Sequence, residues 1–333
     1  MVQTATTTVG QGDFTYRVIE DWARAPEGQT IGLTMSAACD SQGRIYVFQR
    51  KDPPVLIFDR DGNCISSWGN GAFIFPHGIA IVDDIVYVVD DNSHVCIMYT
   101  LDGKPIQMLG RHGVHSDTGY TTFEEPVLRS AGPFYRPTKM VPGPNGDLFV
   151  SDGYGNARVH VFSAEGRLKY SWGEPGKFIG TKEGRGKFFV VHALLVHEGK
   201  VYVCDRENHR IQIFTLEGEH LETWVMGEQR PTDILLGPDG LLYVSGGLRD
   251  NWTDAAGCVK VLDMQGNTLV EFETRGGHDL CVDSHGDIYT FLARKHPALR
   301  SPEMLAKDPN FRPDNTYGAP GVKGAVDKYV RVR

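Results

Sequence analysis

Apolar residues along this chain come in short runs in which every second position tends to be apolar, and the runs are parted by turns rich in Gly, Asp and Asn. A two-residue period marks a strand with one buried face, where a helix would repeat near 3.6 residues. The runs recur in a fixed order. A short apolar strand and a Gly/Asp turn lead to a second strand ending near Asp, then a polar loop, a third strand of the Arg-Ile-Gln-Ile-Phe type, a Gly turn, and a fourth strand that often ends in Trp-Gly. Copies of this unit occupy residues 36–69, 76–110, 137–173, 191–225 and 230–276, the last with a longer middle loop around 251–257.

Four such strands per copy make one blade of a β-propeller rather than a layer of a sandwich. A sixth copy begins at Gly277 with GHDLCVDSHGDIYTFLA and breaks off after two strands. A Pro-rich excursion over 295–327 follows, and Tyr329-Val-Arg-Val then offers a third strand. The fourth comes from an orphan strand near the other end of the chain, YRVIEDW at 16–22. Pairing it there closes the ring and leaves no bare sheet edge. The pattern therefore predicts an all-β fold, one six-bladed β-propeller domain over 1–333 whose last blade (277–333 plus 14–22) joins both chain ends.

Composition agrees and narrows the partners. The 39 Gly and 18 Pro suit a turn-rich chain, and 333 residues is a usual length for one propeller. A net charge of −8, with no Lys/Arg-rich run to follow a phosphate backbone, excludes nucleic acid as the expected partner. Residues 1–32 hold no apolar core of a secretion signal, and no stretch nears the roughly 18 consecutive apolar residues of a membrane span. The expectation is a cytoplasmic protein with a small-molecule substrate and no membrane partner; nothing in the sequence sets its oligomeric state. Cys39, Cys64, Cys96, Cys204, Cys258 and Cys281 sit singly, without CxxC spacing, and read as reduced core thiols.

The segment Asp205-Arg206-Glu207-Asn208-His209-Arg210-Ile211 is similar to NHL repeats, a resemblance that implies a propeller but no single function. Aligning the inner-strand starts of the six copies gives Ser36, His77, Thr138, His192, Thr232 and His278, with His in every second blade. Alternate blades of a six-fold ring lie about 120° apart and inner strands line the channel, so the imidazoles converge on the axis. Each alone reads as a satisfied channel residue. Their shared register reads as a three-nitrogen site for a divalent metal with its fourth position open, zinc first, although iron and copper also accept three imidazoles. Second-strand ends face the same mouth, because the first turn of each blade reverses the chain at the opposite face. They bring Arg50 (VFQR), Tyr154 (VSDGY) and Arg206 (VCDR) around that open position. Structural duties compete with function at two of them, loop binding for Arg206 and covering the rim for Tyr154, whereas Arg50 stands where other blades carry Asp and reads as an anion binder beside the metal.

Taken together, Pro76-His77-Gly78, Ser151-Asp152-Gly153-Tyr154, His192, Asp205-Arg206-Glu207-Asn208, the Arg of VFQR and His278-Asp279 resemble peptidyl-α-hydroxyglycine α-amidating lyase, over residues 32–293. The resemblance implies a six-bladed propeller that cleaves the C–N bond of a C-terminal α-hydroxyglycine to a peptide amide and glyoxylate. It implies zinc on His77, His192 and His278, and essential roles for Arg50, Tyr154 and Arg206. It also implies a structural calcium inside the channel, on the main-chain carbonyls of Ala37 and Ile79 and the carboxylate of Asp279, a hard oxygen donor beside a ligand His. Gly155, Tyr202 and Ile213 stand where secreted members carry disulfide cysteines, and no monooxygenase segment accompanies the propeller. A small hydroxylated amide is thus the expected substrate.

For such an N-acyl carbinolamine, Tyr154 is expected to transfer the proton, its phenol biased toward phenolate by the metal and the arginines. Arg50 would neutralise charge at the reacting centre, and Arg206 would clamp a carboxylate or carbonyl through its planar fork. Two rival readings stand beside this one. A lactonase-like metal-dependent hydrolase or hydratase would use the same imidazoles to activate water, and a non-catalytic NHL binding platform would have no use for them. The segments 110–136 and 295–327 are expected to cover the channel mouth and set specificity.

Overall fold

The computed structural model describes residues 7–122, 124–248, 257–294 and 323–332. Six antiparallel sheets form a ring, and the inner strand of each packs against the inner strand of the next all the way round, a six-bladed β-propeller. The inner strands are Thr34–Cys39, Pro76–Val82, Pro137–Pro142, Val191–His197, Arg230–Leu236 and Leu280–Val282, for blades one to six.

Blade four shows how the pattern builds the ring. In its second strand, Lys200–Asp205, alternate residues face opposite neighbours. Val201 and Val203 pack with Val159 and Val161 of blade three, whereas Tyr202 and Cys204 pack with Ile234 and Val244 of blade five. A strand sandwiched between two blades is apolar on both faces, which is why VYVC reads as a continuous run. Each buried Val or Leu of this kind contributes about 1.5–3 kcal/mol. The outer strand, His220–Val225, has only Thr223 and Trp224 buried and shows the polar residues expected of an edge.

Asp-x-x-Gly turns join the first and second strands of blades one and six and the third and fourth strands of blades one and five. Asp40 accepts the backbone N–H groups of Gln42 (3.0 Å) and Arg44 (2.9 Å), and Asp59, Asp263 and Asp283 repeat the arrangement. A carboxylate that bonds its own backbone is what favours Asp at this turn position.

Blade six is closed by both chain ends. The order outward from Leu280–Val282 is Ile288–Arg294, Lys323–Arg331, Phe14–Ile19 and Thr8–Gln11. Here the structure corrects the sequence boundaries. The N-terminal strand starts at Phe14 and ends at Ile19, and Trp22 instead packs beyond it on Phe58 and Tyr289. Residues 323–327, assigned from composition to the Pro-rich excursion, belong to the third strand, while 295–322 lie outside the described residues, as does the blade-five loop at 249–256. Thr8–Gln11 is a fifth strand that the repeat did not announce. All six cysteines are unpaired, and among the described residues no helix is long and apolar enough to cross a membrane.

Candidate metal centre

Inner strands leave regular pairing at their channel ends. The register slips between Thr34 and Ser36, Pro76 and Ile79, Pro137 and Lys139, Val191 and Ala193, and Pro231 and Asp233. A bulge of this kind turns the extra residue out of the pleat and re-aims its side chain. The residues so released include Met35, His77, Thr138, His192 and Thr232, while His278 lies just ahead of Leu280–Val282. Blade one therefore holds the ring position with Met35 and not Ser36, a one-residue shift that an alignment by strand starts could not detect.

Hydrogen bonds tie these residues into a belt. Nδ1 of His77 meets the carbonyl of Thr138 at 2.9 Å, Nδ1 of His192 that of Thr232 at 2.6 Å, and Nδ1 of His278 that of Met35 at 2.9 Å. In return the hydroxyls of Thr138 and Thr232 donate to the carbonyls of Val191 (2.9 Å) and Gly277 (2.7 Å), each one residue ahead of the next histidine. A carbonyl can only accept, so every Nδ1 carries the proton and every Nε2 presents a lone pair. The three rings stand 5.0, 5.0 and 4.9 Å apart by centroid, and their ligand atoms lie within 4.8 Å of one another. Burial holds all three well below the usual 6.5, helped by Arg50 at His77, Arg206 at His192, and the His77 ring at His278. The imidazoles are neutral donors at neutral pH.

Arg50, Tyr154 and Arg206 reach the ring because second-strand ends are stitched to inner-strand beginnings. Their backbone N–H groups donate to the carbonyls of Leu33 (2.8 Å), Arg136 (3.4 Å) and Val190 (3.0 Å), each two residues ahead of its blade's ring position. Gly153 lets the Tyr154 loop lie on blade four, since a Cβ there would come within 2.0 Å of the Val191 carbonyl oxygen. The Tyr154 hydroxyl sits 3.1 Å from Nε2 of His77 and 3.0 Å from Nε2 of His192, and Arg206 Nη1 donates to it at 3.1 Å. Arg206 is fully buried, with its Nε donating to Glu207 at 2.8 Å. Arg50 donates to the Pro76 carbonyl at 3.1 Å and lays its guanidinium 3.4 Å from the Phe75 ring centroid.

Burial raises the Tyr154 phenol above its usual 10, against the pull of Arg206 and Arg50. Burial thus outweighs the arginines, and the phenolate bias expected from the metal and the arginines together would rest on the metal.

Arg136 was not singled out from sequence. It belongs to the 110–136 insertion, which has no counterpart in the repeat, and its guanidinium lies 5.1 Å from the Tyr154 ring centroid, as does that of Arg206. Asp91 grips it at 2.7 and 3.1 Å, and it donates to the Tyr120 hydroxyl at 3.0 Å. The available signal was Asp91, which directly follows the second strand of blade two, as Arg50 and Arg206 follow theirs. The insertion thus reaches the site through Tyr120 and Arg136, whereas 295–322 lies outside the described residues.

One residue deeper in the channel lies a second polar group. Lys139 bonds Asp233 through its Nζ, and both are buried together with Asp279. Burial alone would depress the Lys139 ammonium, but Asp233 and Asp279 outweigh it and the net shift is upward.

The ring fits a zinc ion: three neutral nitrogens, a tautomer fixed by carbonyls, and one side open toward Tyr154. The implied calcium fits poorly. Asp279 is present, but Ser36 engages it and also accepts the Ile79 N–H at 3.4 Å, and the Lys139 ammonium already acts on it. A divalent ion that requires six to eight oxygens would share this pocket with a fixed positive charge.

Comparison with known proteins agrees with this architecture. A family model described as NHL repeat matches residues 193–214. Human NHL repeat-containing protein 3 is 31% identical over 242 residues, covering 68% of this chain and 65% of that protein. Peptidyl-alpha-hydroxyglycine alpha-amidating lyase 1 of Drosophila melanogaster is 33% identical over 156 residues, covering 44% of this chain and 26% of the other. The chain thus spans just under two thirds of the first relative and about a quarter of the second. Among solved structures, a gluconolactonase of Xanthomonas campestris superposes with a TM-score of 0.56 at 15% identity, over 83% of this chain and 86% of that one, a likeness of fold. By repeat, fold and sequence, the chain is an NHL-repeat β-propeller related to NHL repeat-containing protein 3 and to the amidating lyases.

Proposed function

We propose that this protein is a zinc-dependent lyase that breaks the C–N bond of an N-acyl carbinolamine bearing a carboxylate, releasing an amide and a glyoxylate-type aldehyde. One observation carries the reading: three neutral imidazoles turn Nε2 toward a common point, and a buried phenol held by a buried arginine lies against two of them. The names of the amidating-lyase relatives support the same class of reaction.

The chemistry is a redistribution of one proton and one electron pair. The substrate hydroxyl loses its proton, the C–O bond becomes a carbonyl as C–N breaks, and the departing nitrogen takes the electron pair and a proton. No water is consumed. A zinc ion on His77, His192 and His278 would supply Lewis-acid polarisation of that hydroxyl. Tyr154 is the group within reach to carry the proton, with Arg206 fixing its oxygen. Arg50, whose charge is felt at His77 and His278, favours an anionic substrate, whereas Asp91 offsets the charge of Arg136.

Metal analysis combined with product analysis tests this. Purified protein is expected to carry one zinc per chain and to convert α-hydroxyhippurate to benzamide and glyoxylate, with activity lost on chelation and restored by zinc. Benzoate in place of benzamide would mark a hydrolase. Protein that takes up no metal and leaves the substrate intact would sink the catalytic reading and favour a binding platform.

A further inference from the structure

Below the imidazoles, the residues that follow each ring position form a second tier: Ser36, Gly78, Lys139, Ala193, Asp233 and Asp279. Three are small and three are charged. Asp233 and Asp279 come from adjacent blades and are both buried, at 0% and 2% exposure. Two carboxylates confined in a dry channel repel each other and lose hydration, so they either take up a proton or face a cation. Lys139 supplies one. Its side chain extends from blade three, its ammonium bonds Asp233, and it acts on Asp279 as well. Gly78 lies against the backbone of Lys139, where a Cβ would come within 3.3 Å of the lysine Cα, and Ser36 engages Asp279.

We infer that Lys139 is this protein's built-in channel cation: its ammonium does for Asp233 and Asp279 what a structural calcium would do, and the propeller holds no calcium at this tier. The Lys139–Asp233 pair lies in the channel interior and is independent of whatever reaction the imidazoles perform. An ammonium on a covalent stem cannot dissociate, so chelators have nothing to remove. It also fixes one geometry, joining blade three to blade five across the channel, where a calcium would gather carbonyl oxygens around itself.

Calcium content and thermal unfolding of the full-length protein test this without reference to activity. After equilibration with calcium and gel filtration, elemental analysis is expected to find no calcium in the wild-type protein, and its Tm should not respond to calcium or EGTA. The Lys139→Met variant, similar in volume and uncharged, should acquire one calcium per chain and a Tm that rises with added calcium. Where that variant yields no soluble protein, Lys139→Met/Asp233→Asn removes the pair as a unit, leaves Asp279 as the one carboxylate, and is expected to behave the same way. One calcium per wild-type chain, with a Tm lowered by EGTA, would overturn the inference. So would soluble variants that bind no calcium, because the lysine would then be filling no cation's role.

Discussion

Replacing Tyr154 by Phe removes one oxygen and little else. The ring stays between the guanidinium groups of Arg136 and Arg206, each 5.1 Å from its centroid. What is lost is the hydrogen bond from Arg206 and the approach of the hydroxyl to His77 and His192. A hydrogen bond to a charged group contributes about 1.5–3 kcal/mol, so folding stability should drop by about that amount. Metal uptake should survive, because each imidazole is aimed by a backbone carbonyl and not by the phenol. Turnover should not survive: a positioned proton carrier is worth roughly 10²–10⁴ in rate, which is about 2.7–5.5 kcal/mol of barrier. The measurements are zinc per chain by elemental analysis, Tm, and kcat for benzamide release from α-hydroxyhippurate. A zinc-replete Tyr154→Phe protein with wild-type kcat would refute the assignment and leave Tyr154 as a cover on the channel rim. Loss of zinc together with activity would show instead that the hydroxyl helps to hold the ion.

Other substitutions probe the remaining parts. His192→Ala takes away one of three nitrogens and should abolish stable zinc retention through gel filtration while the fold, monitored by circular dichroism, persists; a fully loaded, active variant would dismantle the site. Arg206→Ala removes the charged donor that fixes the Tyr154 oxygen, worth about 1.5–3 kcal/mol, and should lower kcat/KM by roughly 10–100-fold; an unchanged kcat/KM would take Arg206 out of the site. At the seam of the ring, Asp287 joins Arg60 of blade one (3.1 Å) to Lys328 of blade six (3.1 Å). Burial pushes its carboxyl up, but the Arg331 N–H, Lys328 and Arg60 outweigh it and the net shift is below 3.8. A lowered folded-state value means that the stabilisation is complete above the unfolded value and vanishes as pH falls through the folded one. Asp287→Asn should therefore lower Tm near neutrality and match wild type in strong acid, and a Tm difference independent of pH would contradict the linkage.

The sequence made the ring legible because every blade solves the same packing problem. Val201 and Val203 face one neighbour and Tyr202 and Cys204 the other, and that two-sided burial writes an apolar run wherever a second strand recurs. His77, His192 and His278 were readable for the same reason, since equivalent positions in alternate blades need no knowledge of side-chain direction. Features outside the repeat were hidden. Met35 was displaced by one residue because a bulge changes phase without changing composition. Arg136 lies in an insertion with no sister copies to compare. Lys139 could be located on an inner strand, but its meaning depends on a partner 94 residues away, Asp233, and only the closed ring brings the two together. The phenol of Tyr154 illustrates a further limit: its arginine neighbours were foreseeable, whereas the burial that outweighs them is a property of the assembled channel.

His278 belongs to the blade that both chain termini must complete, and its Nδ1 leans on the Met35 carbonyl across the seam. His77 and His192 lean on carbonyls of the blades that follow them in the chain, whereas His278 depends on a seam that the pairing of Lys323–Arg331 with Phe14–Ile19 completes. Ion capture and ring closure then share one equilibrium, and metal that binds only the closed form acts as a clasp. Fraying at either terminus should be felt first in the centre of the molecule.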